Sequence, residues 1–191
     1  MIRQIFPNLI LDTDFPDWNI CQPELLDYIN NNPVDELVIN AEEFVNNKFI
    51  CMNILDHCPE TRKRVEQLVN QYAEAANIKT LVLEDSWVTE YQQKEYIPGH
   101  THLPKFVSGV IFIKQSQHGG MFYFNSPQHD LDNIAQHDHY KSFSPESERV
   151  HIIKPKEGQV IIFKSYMNHG TTPVYSDENR YTLAFNVGIQ K

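Results

Sequence analysis

From Lys79 onward the chain is a succession of β-rich segments with no helical pattern between them. Lys79–Tyr91, Phe106–Lys114, Met121–Asn125, Val150–Lys154, Gln159–Lys164 and Arg180–Ile189 are rich in branched and aromatic residues. Gly99, Gly119-Gly120, Ser144-Pro145, Gly158 and Asp177-Glu178-Asn179 punctuate them as turns. Six strands without intervening helices predict an antiparallel sandwich or jelly roll rather than a parallel α/β sheet.

The first third is mixed. Phe6–Leu11 is a short apolar run closed by Asp12 and Asp14, and Pro23 is positioned to open a helix that Asn30–Pro33 ends. The clearest helix runs from Glu60 to about Asn77. Val65, Leu68, Val69, Tyr72 and Ala76 keep helical spacing, with Arg62, Lys63, Glu66 and Gln67 opposite. Such a helix braces a sheet. At 191 residues the chain suits one well-filled core. The expected class is therefore mainly β with flanking helices: one domain over 1–191, with a mixed helical layer over 1–78 and a β core over 79–191.

Composition narrows the function. A net charge of −9 disfavours a nucleic-acid surface, which needs a basic stripe. No apolar run approaches the ~20 residues that span a bilayer, and the N-terminal stretch lacks a signal-peptide core. Cys21, Cys51 and Cys58 are odd in number and lack zinc-like spacing, as expected of reduced thiols in a cytoplasmic protein. The partner class is accordingly a small-molecule or protein substrate.

His100-Thr101-His102 carries the chemistry, followed 67 residues later by His169 and 11 residues after that by Arg180. Histidines two apart on an extended segment point the same way, and a third from a distant strand can close one face of a metal. Neutral imidazoles on one face leave the other open, a geometry suited to non-haem Fe(II). Alternation along the last strand places Arg180, Thr182, Ala184 and Asn186 on one face. A guanidinium beside a hydroxyl is a receptor for a carboxylate.

Ser86–Ile113, Gly119–Phe124, Pro155–Val174 and Glu178–Gly188 together resemble the Fe(II)- and 2-oxoglutarate-dependent dioxygenases, and most of all a branch frequent in phage and marine bacterial genomes. The similarity spans Trp87–Gly188, roughly half the chain. It implies a double-stranded β-helix (jelly roll) with Fe(II) at one mouth, and 2-oxoglutarate and O2 as co-substrates. His100 and His169 would be metal ligands. Arg180 and Thr182 match the family's Arg-x-Ser/Thr pair for the distal carboxylate, and Tyr91 stands where relatives often have a tyrosine bonding the same group. The implied reaction is hydroxylation of a substrate with release of succinate and CO2, in a host cytoplasm if the gene is a phage's. Trp87, Phe122 and Tyr123 are candidates to line the pocket or to sit in the core.

Most of the superfamily has His-x-Asp where this chain has His-x-His. His102 is either the third ligand, in the carboxylate's place, or a partner of substrate or of the other ligands. The implied catalytic set is His100, His102, His169 and Arg180. A second His-x-His, His137-Asp138-His139, lies in a polar loop with His129 and Asp130 and has no arginine downstream at similar spacing. His118 and His151 read as surface or satisfied structural residues, His57 is poorly spaced for zinc with Cys51 and Cys58, and Arg180 has Glu178 as a turn-flanking partner. Two other classes stay open. A cupin-type three-histidine enzyme usually has a glutamate soon after His-x-His, which Leu103–Phe106 lacks, and its distal histidine soon after Pro-x-Gly, whereas His169 is 11 residues past Gly158. A non-catalytic jelly-roll binding or structural module would need none of these residues.

Overall fold

Strands that are apolar on both faces dictate a sheet covered on both sides. The computed structural model describes residues 8–32, 48–126 and 150–190. Among them the order is β1 (Ile10–Asp14), α1 (Trp18–Asn31), β2 (Lys48–Met52), α2 (Pro59–Ala75), β3 (Leu81–Tyr91), β4 (Val107–Lys114), β5 (Phe122–Asn125), β6 (Val150–Ile153), β7 (Gln159–Lys164), β8 (His169–Thr171) and β9 (Arg180–Ile189). Alternation along β4 sends Val107, Ile111 and Ile113 into one core and Val110 and Phe112 into another. In β7, Val160 and Ile162 join the first core, and Ile161 and Phe163 the second.

The first core lies under the helices. Leu25 of α1 and Val65, Leu68, Val69 and Tyr72 of α2 pack on Leu183, Phe185 and Val187 of β9. The second core lies between sheets, where Phe122 and Phe124 of β5 and Ile153 of β6 meet Phe112 and Phe163. The larger sheet has the order β1-β7-β4-β9-β3-β2 and the smaller β6-β5-β8, with all pairs antiparallel. An isolated bridge between His100 and His169 adds a further rung to the smaller sheet. Two facing antiparallel sheets with a helical layer outside give the expected double-stranded β-helix.

One irregularity in β3 decides what faces inward. Pairing with β9 slips between Leu83 and Asp85, leaving Glu84 as an extra residue. Such a bulge reverses strand parity. Leu81 and Leu83 face the helical layer, and beyond the bulge Val88 does. Asp85, Trp87, Thr89 and Tyr91 consequently turn to the other face, opposite Asn186, Ala184, Thr182 and Arg180.

Some boundaries differ from expectation. α1 begins at Trp18, so Pro23 lies within it. Burial of Cys21 and Leu25 outweighs the one hydrogen bond that proline cannot make. Asp12 and Asp14 lie inside β1, whose edge position lets their side chains reach solvent. β2 and the three-residue β8 were not expected. The loop residues His129, Asp130, His137 and His139 lie outside the described residues.

Candidate metal centre and co-substrate pocket

The three motif histidines arrive from different directions and meet. His100 and His169 exchange backbone hydrogen bonds, His100 N–H to His169 O at 2.9 Å and His169 N–H to His100 O at 3.0 Å. The His102 N–H donates to Ser165 O at 2.9 Å, tying the segment to the end of β7. One ring nitrogen from each of the three histidines lies within 4.8 Å of the others, and among the described residues this is the one such cluster of His, Cys, Asp or Glu.

Their tautomers follow from their partners. Nδ1 of His100 lies 3.0 Å from Pro98 O, and Nδ1 of His169 lies 2.8 Å from Met167 O. Carbonyls only accept, so both Nδ1 atoms carry the hydrogen and both Nε2 atoms present a lone pair. His102 Nδ1 lies 2.8 Å from Asn186 Oδ1, with the same consequence. The Nε2 atoms of His100 and His102 nonetheless stand 3.0 Å apart, with no proton to share between them. Two ligands ~2.1 Å from one ion at a right angle stand about 3.0 Å apart. Anchoring of Nδ1 by an acceptor is also the usual support of a metal-bound histidine. The donor set fits a divalent cation. Burial lowers the pKa of all three histidines, that of His169 to about 3, helped by the neighbouring imidazole of His100. They stay neutral at pH 7.

The bulge-directed face of β3 and its partner β9 form a ladder beside this cluster. Its rungs are Tyr91 with Arg180, Thr89 with Thr182, Trp87 with Ala184, and Asp85 with Asn186. Arg180 is 0% exposed. Its guanidinium carbon lies 3.8 Å from the Tyr91 ring centroid, and Nη1 donates to Gly119 O at 2.8 Å. Nε and Nη2 are buried without a hydrogen-bond partner among the described residues. Burial pulls its pKa down while the Tyr91 hydroxyl opposes that, yet a guanidinium keeps its charge in a protein. A buried cation with two open donors calls for an anion, and a carboxylate matches a guanidinium fork. The chain thus has a fitting place for a dicarboxylic acid's far end. Glu178 does not supply the anion, since its carboxylate faces Lys114 at 4.0 Å.

A cavity of about 450 Å³ connects the two features and is lined by Tyr91, Thr182, His100, His102 and His169. Trp87 and Phe122 also line it, and the Trp87 ring lies 5.5 Å from that of His102. Tyr123, one residue out of phase with Phe122, packs its hydroxyl on Gly170 instead. His118 and His151 are exposed, and His57 stacks on Tyr28 at 4.9 Å. Sequence reasoning missed Phe49 and Met52 of β2, which line the same cavity. It also missed Asp85, whose inward turn depends on the bulge. Nothing in the alternation of β3 signals that extra residue.

A family model described as "Putative 2OG-Fe(II) oxygenase" matches residues 85–186, just over half of the chain. No curated protein matches the sequence. Among solved structures, a prolyl-4-hydroxylase from Pseudomonas putida is similar with a TM-score of 0.60 at 13% identity, over 95% of this chain and 93% of that one. HygX from Streptomyces hygroscopicus, solved with nickel and 2-oxoglutarate bound, has a TM-score of 0.60 at 13% identity, over 95% and 83%. SnoN, a non-haem α-ketoglutarate-dependent epimerase from nogalamycin biosynthesis, has a TM-score of 0.68 at 10% identity, over 95% and 77%. At these identities the likeness shows the fold. Together with the family match and the three-histidine cluster, it establishes a 2-oxoglutarate-dependent dioxygenase using Fe(II), 2-oxoglutarate and O2. The chain belongs to the 2OG-Fe(II) oxygenase family.

Proposed function

We propose that the chain hydroxylates its substrate with release of succinate and CO2, with His100, His102 and His169 holding Fe(II) and with Arg180, Thr182 and Tyr91 binding the distal carboxylate of 2-oxoglutarate. The observation that carries this assignment is Arg180, a buried guanidinium with two open donors, whose neighbours Tyr91 and Thr182 line a cavity that also contains three convergent imidazoles. When bound, the iron supplies the oxidising power, using O2 and the electrons released by decarboxylation of the co-substrate.

The residues of the chain bind, orient and shield. Arg180 and the Thr182 hydroxyl grip the carboxylate, and the Tyr91 ring holds the guanidinium plane from the other side. Three neutral imidazoles would hold the ion without adding charge. Phe49, Met52, Trp87 and Leu103 form an apolar wall on the cavity. Met52 and Leu103, 42% and 66% exposed, place the end of that wall at the surface. The substrate class that fits is a small molecule or a protein side chain presenting an apolar group to this wall.

Anaerobic titration of the Fe(II)-loaded protein with 2-oxoglutarate tests the reading through the visible charge-transfer band of the chelate. The wild type should show the band. Arg180→Ala should need at least tenfold more 2-oxoglutarate to reach it, because a charged hydrogen bond contributes about 1.5–3 kcal/mol. His102→Ala should weaken retention of iron. Iron binding with no band at any 2-oxoglutarate concentration would refute the assignment.

A further inference from the structure

The three histidines are not held alike. Nδ1 of His100 and of His169 each rest on a backbone carbonyl two residues earlier in the chain, whereas Nδ1 of His102 rests on a side chain. Beyond that contact runs a chain of polar groups that ends in charge. Asn186 Nδ2 donates to Asp85 Oδ1 at 2.7 Å. The other oxygen of Asp85 lies 2.6 Å from Lys105 Nζ, which also holds Glu84 at 2.8 Å. Ser108 Oγ donates to Asn186 Oδ1 at 2.8 Å and is itself 2.8 Å from Ser165 Oγ.

These contacts permit one arrangement. Asp85 meets Lys105 as the carboxylate of an ion pair, and a carboxylate only accepts. The amide side of Asn186 must therefore face Asp85, and its carbonyl must face His102. A carbonyl accepts, so His102 carries its hydrogen on Nδ1 and turns a bare Nε2 toward His100. Three neutral imidazoles bring no negative charge to a dication. Asp85 is the carboxylate whose charge acts on His102. The bulge at Glu84 puts Asp85 directly opposite Asn186.

We propose that Asn186 and Asp85 form a positioning relay that fixes the tautomer and aim of His102 and supplies, two hydrogen bonds away, the negative charge that an all-histidine site lacks. The relay rests on His102 as a metal ligand, but the tautomer it enforces is independent of metal. Neither residue touches the ion. Asn186 transmits and Asp85 polarises, while Lys105 holds Asp85 in place.

Two readouts separate the parts. In metal-free protein at pH 7.5, imidazole nitrogen-15 shifts should show His102 with its hydrogen on Nδ1 and should show Asn186→Ala moving toward the Nε2–H tautomer. In Co(II)-substituted protein, Asn186→Ala should weaken binding about 10–100-fold, the usual effect of losing such a support. Its d–d absorption should shift toward that of His102→Ala. Asp85→Asn keeps a hydrogen-bond acceptor but removes the charge. It should preserve the tautomer and still weaken Co(II) by a smaller factor. An unchanged tautomer and wild-type Co(II) affinity and spectrum in folded Asn186→Ala would overturn the relay. A wild type that shows the Nδ1–H tautomer yet binds no Co(II) would instead overturn the metal assignment, and with it the relay's purpose.

Discussion

Gly120 shows how one backbone position bears on the arginine proposed to hold the co-substrate. Its φ of +82° lies in the region that side chains avoid, and a Cβ there would stand 2.5 Å from Thr172 O and 3.0 Å from Arg180 Nη1. The neighbouring Gly119 carbonyl is the hydrogen-bond acceptor of that same guanidinium. A methyl group at Gly120 must therefore move either the turn or Arg180, on top of about 1–2 kcal/mol for the left-handed backbone. Gly120→Ala is expected to weaken 2-oxoglutarate binding roughly tenfold and to leave Fe(II) affinity unchanged, since a 1.4 kcal/mol loss corresponds to tenfold. Parallel titrations with the two ligands check it, and equal losses for both would refute it. In the sequence, Gly119-Gly120 reads only as a turn. Arg180 and Thr182 stood out as a candidate carboxylate receptor from residue type and strand spacing, and Tyr91 only from the family resemblance. The glycines' role depends on a contact between segments 60 residues apart, which no local pattern encodes.

Elements of the helical layer are joined by a carboxylate rather than by apolar packing alone. Glu24 of α1 accepts from the backbone N–H groups of Glu60 and Thr61 at 3.0 and 2.8 Å and from Thr61 Oγ1 at 2.7 Å. It thereby caps the first turn of α2, where Pro59 has no hydrogen to offer and Cys58, the residue at the cap, makes no capping hydrogen bond with its side chain. Orphan N–H groups at a helix start favour a negative partner. Glu24→Ala is expected to lower unfolding free energy by about 2 kcal/mol, the order of a charged hydrogen bond to a helix terminus. Glu24→Gln should lose less, because an amide oxygen still accepts. Urea denaturation measures both, and a Glu24→Ala protein as stable as wild type would refute the cap. The amphipathic period of α2 was visible in the sequence because a helix that packs on a sheet needs one apolar stripe. The cap was not, because it is supplied by another helix. The bulge in β3 was hidden for a related reason. It depends on how β9 pairs, and a strand's own alternation cannot show an extra residue that its partner leaves unmatched.

On the scale of the whole molecule, the core between the helical layer and the larger sheet holds all three thiols and one of the nine phenols, Tyr72. Cys21, Cys51, Cys58 and Tyr72 are all buried there, and the three cysteines are free. Burial raises each thiol, taking Cys58 from an ordinary value of 9.0 to about 12, with the Glu24 carboxylate adding to the effect. Burial likewise raises Tyr72 from 10.0 to about 12. A group whose folded pKa is raised holds its proton in the native state while the unfolded chain has already lost it. Its contribution is fully present below the unfolded value and is lost as pH rises through the folded one. Stability is therefore expected to stay level in this respect up to pH 9 and to fall steadily between pH 9 and 12. Cys58→Ala should flatten the first part of that fall, at the cost of a small cavity at neutral pH. Urea midpoints at pH 7.5, 9 and 10.5 for wild type and variant decide the point, and parallel curves would refute it. This same core explains what the sequence disclosed of the fold. Strands that must be apolar on both faces cannot hide their composition, so the sheet pair was legible. The edge strand β2 and the three-residue β8 place too few residues in either core to leave a pattern. The Phe49–Met52 part of the cavity wall therefore emerged only with the coordinates.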